Sequence, residues 1–438
     1  MATIKLKKGY NLNLKGSIAD NQLIQSKNSD LFAVVPDDFA GIVPRMDKRE
    51  GDPVKAGEPL YHDKTHERVM VTSPVSGTVA EVRRGARRKI EAIVIKPDDR
   101  QDAVRLDLNQ DAIDVLLSSG LWAMMRQRPY DVVPSPDVRP RDIFVTAFDS
   151  APLAPNLMLI AKDNLEYVAK GVEVLSSLTD GKVYVGFRPG EEMQVAGAEV
   201  NVFDGPHPAG NAGVQLANVK PINKGETVWT LDIVTLARIG KLFTTGTVDF
   251  TTLVALTGEC VELPAYVPAT MGCTMTSVLG DTPLENARII SGNVLTGCRV
   301  EPDGFLRAPY RHVTVIPEVS KADEFMGWAS LSPKRFSLYR DFTSWLAGKR
   351  QFSFDARMKG GERAIVRAGE YDRMIPMDIY AEFLVKAIIA FDIDKMERLG
   401  IYEVAPEDFA LAEFACTSKL ELQRIVREGL DRLRAEMS

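Results

Sequence analysis

The run Asp204-Gly205-Pro206-His207-Pro208-Ala209-Gly210-Asn211-Ala212-Gly213 holds the clearest means in this chain of meeting a small ligand. Glycines let a loop backbone approach a bound group closely, and a histidine held between two prolines is a fixed hydrogen-bonding group near neutral pH. His207 is therefore a ligand candidate, although histidines in such turns more commonly bond their own backbone. Nucleotide phosphates are not the expected ligand. The glycines do not form G-x-G-x-x-G, and Asn211 and Ala212 stand where a phosphate loop needs Lys and Ser/Thr.

A second chemistry is charge. Arg83, Arg84, Arg87, Arg88 and Lys89 put five cations into seven residues, a turn suited to an acidic partner or lipid phosphates when it is not simply solvated. The whole chain counters that local excess with 54 basic against 60 acidic side chains, net −6, which gives no field for nucleic acid. Metal chemistry finds no support: Cys260, Cys273, Cys298 and Cys416 lie far apart without C-x-x-C pairs. No catalytic residue and no metal ligand is assigned.

The elements that must hold these groups begin with Thr3–Leu14, whose period-two apolar pattern predicts a strand and turn at the edge of the first domain. Asp111–Gln127 reads as a helix interrupted at Gly120, and the prolines of Arg128–Pro136 predict an extended surface loop. Asp142–Asp149, Leu165–Leu178 and Lys182–Phe187 read as strand, helix, strand, the signature of a parallel α/β unit. Its strands' carboxyl ends are where ligands gather, and the His207 loop belongs there. Val248–Leu279 reads as β-rich, with Thr282-Pro283-Leu284-Glu285 starting a helix to about Ile290. Lys334–Arg373, with ten Lys or Arg against five acids, predicts loops, and Tyr380–Leu399 and a capping box at Ser418–Glu421 predict terminal helices. At 438 residues this is an α+β multidomain chain, divided at 1–100, 101–249, 250–317 and 318–438. No signal peptide opens it, and Ala112–Met125 is too short and polar to span a bilayer, so a cytoplasmic place with only peripheral membrane contact is expected.

Gly51-Asp52-Pro53-Val54-Lys55-Ala56-Gly57-Glu58-Pro59-Leu60 and Ser73-Pro74-Val75-Ser76-Gly77-Thr78-Val79 resemble the two halves of a biotinyl/lipoyl carrier domain, which implies a barrel-sandwich hybrid. In carriers the modified lysine occupies the position taken here by His66. Lys64, two residues away, is read as an ordinary exposed lysine, so the domain is expected to dock rather than swing.

The order of parts resembles the flavin-and-NADH-binding subunit of respiratory complex I, which implies that the α/β unit is related to it and that a β-grasp domain of the soluble-ligand-binding kind follows. More narrowly, Ser119-Gly120-Leu121-Trp122, Arg128-Pro129-Tyr130, Phe203-Asp204-Gly205-Pro206-His207-Pro208-Ala209-Gly210, Gly240-Lys241-Leu242-Phe243 and Ile290-Ser291-Gly292-Asn293-Val294-Leu295-Thr296-Gly297 resemble the NqrA family, one of the component chains of sodium-translocating NADH:quinone oxidoreductases. The resemblance implies a peripheral chain on the cytoplasmic face of the bacterial inner membrane. Its implied partners are the complex's other subunits, above all the membrane subunit of the quinone site. FMN, FAD and iron–sulfur clusters are implied for those other subunits, with none tightly bound here: Cys416 is the one cysteine left of a cluster motif, and the flavin loop has no match. Quinone is the implied ligand. Apolar walls with one or two donors suit its head, and Phe39, Gly41, Tyr130 and Asp131 offer them, Phe39 to stack on the ring and the Tyr130 hydroxyl to reach a carbonyl. A self-contained flavin-dependent NADH:acceptor dehydrogenase is the alternative.

Overall fold

A computed structural model describes residues 1–19, 21–318, 336–339, 343, 346, 350–358 and 360–437. The first strand, β1 (Ala2–Lys5), does not join the domain that follows it. It pairs in parallel with Ala198–Asp204, two hundred residues on, correcting the edge expected for the first domain. Leu6, Leu12 and Leu14 bury their apolar side chains against the same α/β unit, and that burial directs the strand there.

The barrel-sandwich hybrid comprises β2 (Phe32–Val34), β3 (Pro44–Met46), β4 (Pro53–Val54), β5 (Pro59–Asp63), β6 (Met70–Thr72), β7 (Gly77–Arg84) and β8 (Ile90–Pro97). One sheet runs β2-β8-β7-β4 and the other β3-β5-β6, with Val54, Leu60, Val79, Ile93 and Ile95 filling the gap between them. Gly51 and Gly57 take the positive φ their tight turns require, at 89° and 79°. Lys64 is exposed in the turn after β5, and His66 of the same turn leans on Asp137 at 3.4 Å.

The α/β unit holds α1 (Ala112–Ser119), β9 (Arg126–Arg128), β10 (Asp142–Thr146), α2 (Leu157–Ala161), α3 (Val168–Ser177), β11 (Val183–Phe187), β12 (Ala198–Asp204), α4 (Ala212–Val219), β13 (Val228–Asp232) and α5 (Ile233–Thr245). Its sheet order is β1-β12-β11-β10-β13-β9, parallel except for β9. Helix α1 ends at left-handed Gly120, so Arg126 and Gln127 are free to form the edge strand instead of the predicted helix. The following loop is not at the surface. Gln127 and Val132 pair across a tight turn, Val132 and Val133 are buried, and Trp122 Nε1 donates to Pro134 O at 2.8 Å.

The β-grasp unit contains β14 (Thr251–Thr257), β15 (Ala265–Thr270), α6 (Met275–Leu279), β16 (Ala287–Ser291), β17 (Cys298–Val300) and β18 (His312–Pro317), in sheet order β15-β14-β18-β16-β17 with β14 and β18 parallel. No helix follows Thr282. Its hydroxyl donates backward to Leu279 O at 2.6 Å, closing α6, and β16 takes the residues from Ala287.

The C-terminal helices are α7 (Ala381–Ala390), α8 (Ile393–Arg398), α9 (Ala410–Ala415) and α10 (Leu422–Met437). Tyr380–Leu399 is two helices because Phe391 turns left-handed and Asp392 caps the second. The capping box at Ser418 does not form: its hydroxyl goes to Ala364 O, Lys419 has positive φ, and α10 begins at Leu422. Much of Lys334–Arg373 lies outside the described residues. Its described part has the bridge of Phe352 to Leu14 and the 3-10 turn Tyr371–Arg373. Among the described residues no helix is long and apolar enough to cross a membrane.

Candidate functional site

From β10 the chain builds β11 and β12 on one side and then β13 on the other, so the loops at the strands' carboxyl ends part above the sheet. A cavity of about 450 Å³ lies at the ends of β10, β11 and β12. Phe148–Ala151, Arg188, Asp204 and Gly205 line it, with Asn11–Leu14 of the N-terminal segment closing one side. Burial pushes the Asp149 carboxyl up, against the Ala151 N–H at 2.8 Å and the Arg188 guanidinium, which hold it down. Arg188 is itself held by Glu191 at 2.8 Å.

His207 does not line this cavity. It is buried behind the wall, its N–H donating to Asn11 Oδ1 at 2.8 Å and its Nδ1 3.0 Å from Ser150 Oγ, which accepts from Gly210 N. Burial lowers its pKa to about 4, against the opposing pull of Asp408. It is neutral at pH 7 and pins the loop. The neighbouring glycines are likewise spent on packing: a methyl group on Gly210 would sit 2.6 Å from Ser150 N, and one on Gly213 2.7 Å from Arg128 Nη1.

The stretches containing Phe39–Gly41 and Tyr130–Asp131, ninety residues apart in the sequence, do meet. Val133 N donates to Ala40 O at 2.8 Å, and Gly41, at φ 89°, lets Val132 and Arg434 come so near that a side chain would strike both. Between them is a seam of about 30 Å³ lined by Gly41, His66, Val132, Pro134 and Arg434. That holds about one water, whereas ligand pockets run to roughly 300–1,000 Å³. Phe39 is 3% exposed in the sandwich core, whereas Tyr130 packs against the helical core. Phe39 and Tyr130 therefore belong to different cores. Arg427 donates to the carbonyls of Tyr130 at 2.6 Å and Asp131 at 3.0 Å.

The neighbouring Arg128 was not legible as a key residue. It is 1% exposed, and its Nη1 donates to the fully buried Asp408 at 2.7 Å and to Glu403 O at 2.9 Å, while Nη2 reaches Glu407 at 3.1 Å. Burial alone would loosen its proton, but Asp408, Asp131 and Glu407 together raise its pKa. Its partners lie some 280 positions away, and no local pattern announces them.

The basic turn is exposed as expected. Lys89 pairs with Asp37 at 2.6 Å, and Arg83 pairs with Glu81 and lies over Phe305. Arg84 bonds the Arg88 carbonyl, whereas the Arg87 and Arg88 side chains make no ion pair among the described residues. The four thiols are dispersed: Cys273 and Cys260 belong to the β-grasp core, Cys416 lies in the helical core beside Tyr371, and Cys298 is on β17. Among the described residues no three His, Cys, Asp or Glu side chains are grouped to hold a metal.

The class defined by this architecture is a multidomain chain joining a carrier-like sandwich, an α/β sheet and a β-grasp sheet. Family models match each part: the NqrA N-terminal barrel-sandwich hybrid domain over residues 4–98, the NqrA second alpha/beta domain over 108–248, and the NQRA C-terminal domain over 253–301. The NqrA subunit of the Na(+)-translocating NADH-quinone reductase of Pasteurella multocida is 34% identical over 99% of this chain and 100% of its own length. The subunits of the same name from Serratia proteamaculans and Rhodopirellula baltica are 35% and 34% identical, again over 99% of this chain and over 100% and 98% of their own lengths. The chain belongs to the NqrA family.

Proposed function

We propose that this chain is the peripheral NqrA subunit of a bacterial sodium-translocating NADH:quinone oxidoreductase, seated on the cytoplasmic face of the inner membrane and serving complex assembly and the quinone site. The observation that carries this is the end-to-end match at 34–35% identity to proteins named as that subunit. The dispersed thiols and the filled glycine loop favour a subunit whose complex keeps its flavins and clusters on other chains. Its units are bounded near residues 100, 249 and 317, with β1 belonging to the second.

For quinone, the seam volume favours a shared site. Gly41 lines the seam, Tyr130 and Asp131 lead into its Val132 wall, and together they would offer one edge that the membrane subunit of the quinone site completes. In the assembled complex, Tyr130→Phe and Asp131→Asn should raise the KM for a short-chain quinone several-fold while NADH oxidation by an artificial acceptor is unchanged. An unaltered quinone KM in both variants would remove these residues from the site.

A further inference from the structure

The cleft between α5 and the β-grasp sheet holds a guanidinium that makes no direct ion pair with a carboxylate among the described residues. About 530 Å³ is enclosed by α5, the start of β14, the end of β15 and the segment 26–29. Arg238, 7% exposed, projects from α5 into its wall. Its Nη2 donates to Thr251 O at 2.8 Å and more weakly to Phe250 O at 3.5 Å. The N–H groups on Nε and Nη1 meet no acceptor among the described residues, and Arg238 lines the cleft.

The nearest carboxylates are already engaged. Asp232 is paired with Arg311 and accepts from Thr235 N, while Asp249 is paired with Lys241 at 2.7 Å and bonded by Thr251. Burial, with Arg311 close by, lowers the Arg238 pKa to about 10 against the opposing pull of Asp232 and Asp249, so the group is a cation at neutral pH. A buried cation whose nearby carboxylates are shared with Arg311 and Lys241 is only partly compensated, and an anion entering the cleft would complete the compensation. Asn164 borders the same space, half-buried, with a side-chain amide that bonds no described residue. Phe32, Ile160, Val234 and Leu253 give the cleft an apolar side, and Asp163 at its exposed rim disfavours anions only there.

We propose that this cleft binds a small organic oxyanion, a carboxylate or a phosphate ester, with its charged end on Arg238 and Asn164 and its body on Phe32, Ile160, Val234 and Leu253. The site is separate from the Gly41 seam, and its occupancy does not depend on the role in quinone reduction.

The test is calorimetric titration of the full chain with inorganic phosphate and, separately, with benzoate, at ionic strength held constant with sodium chloride. Saturable one-to-one binding of either is expected, and the tighter of the two identifies the charged group. Arg238→Gln should weaken it at least tenfold. Asn164→Ala should weaken it several-fold, and this variant decides the matter if Arg238→Gln does not fold. Arg188→Gln, in the cavity at the strand ends, should leave it unchanged. Absence of saturable binding by both probes overturns the proposal, as does binding that survives the cleft substitutions or is lost with Arg188→Gln.

Discussion

Arg128 and Asp408 show how one side chain can decide the stability of a large chain without touching any ligand. Both are buried, 2.7 Å apart, and their separation in sequence means that the α/β sheet and the C-terminal helices must both be in place before either charge is compensated. Replacing only Arg128 by Met strands the Asp408 carboxylate and should cost about 3–5 kcal/mol, read from denaturant unfolding. The double replacement Arg128→Met with Asp408→Leu should recover much of that loss. If the double variant is no more stable than the single one, the penalty is not an uncompensated charge. His207 and His312 work in the opposite sense, because burial keeps them neutral with pKa values lowered to about 4 and about 3. The unfolded chain, with histidines near 6.5, takes up protons first as pH falls. Stability is therefore whole above about pH 6.5 and declines toward pH 4, by about 3 kcal/mol for His207 alone, further for His312. Thermal midpoints between pH 7 and 4.5 should fall, and His207→Gln should flatten that slope. An unchanged slope would show that His207 titrates normally.

At the scale of elements, what could be read in the sequence was what depends on near neighbours. The apolar runs of Asp142–Thr146 and Val183–Phe187 announce buried parallel strands, and paired Gly-Asp and Gly-Glu turns announce the sandwich, because periodicity and turn chemistry are local. Thr282 and Ser418 misled because a hydroxyl can cap the helix ahead or bond a carbonyl elsewhere, and tertiary contacts chose the latter. β1 misled because its pattern gives a face but no partner. The two seam stretches lie together, but the space between them is set by Val132 and Arg434, which no spacing rule reports. The glycines of the His207 loop carry the same lesson, since their role is to let elements approach. Gly210→Ala should therefore destabilise by about 1–3 kcal/mol through overpacking against Ser150. Gly361→Ala, with open space around it, should shift stability by less than about 0.5 kcal/mol. Equal melting temperatures for the two variants would sink this account.

On the scale of the whole molecule, the carrier-like sandwich is tied down rather than free. Asp38 sits 8% exposed where three units converge: its carboxylate accepts from Arg307 at 2.6 Å and from Ala308 N at 2.9 Å, and its carbonyl accepts from Arg126 at 2.7 Å. A sandwich held in this way presents a fixed surface, and its basic turn is a fixed charge. Within that turn Arg83 and Lys89 already have acidic partners and Arg84 is bonded to the Arg88 carbonyl, which leaves Arg87 and Arg88 as the two cations whose side chains make no bond among the described residues. Arg87→Glu with Arg88→Glu should leave the melting temperature of the chain nearly unchanged, within about 0.5 kcal/mol, because both side chains are exposed. It should nevertheless sharply reduce recovery of the other subunits when the chain is affinity-purified from solubilised membranes. Salt gives an independent measure, since raising it from about 0.1 to 1 M shortens the screening length from about 10 to 3 Å and should loosen the wild-type complex more than the reversed variant. If the variant recovers all the other subunits to the same extent as the wild type does, at both salt concentrations, this turn faces solvent in the complex and the assembly contacts lie on another face.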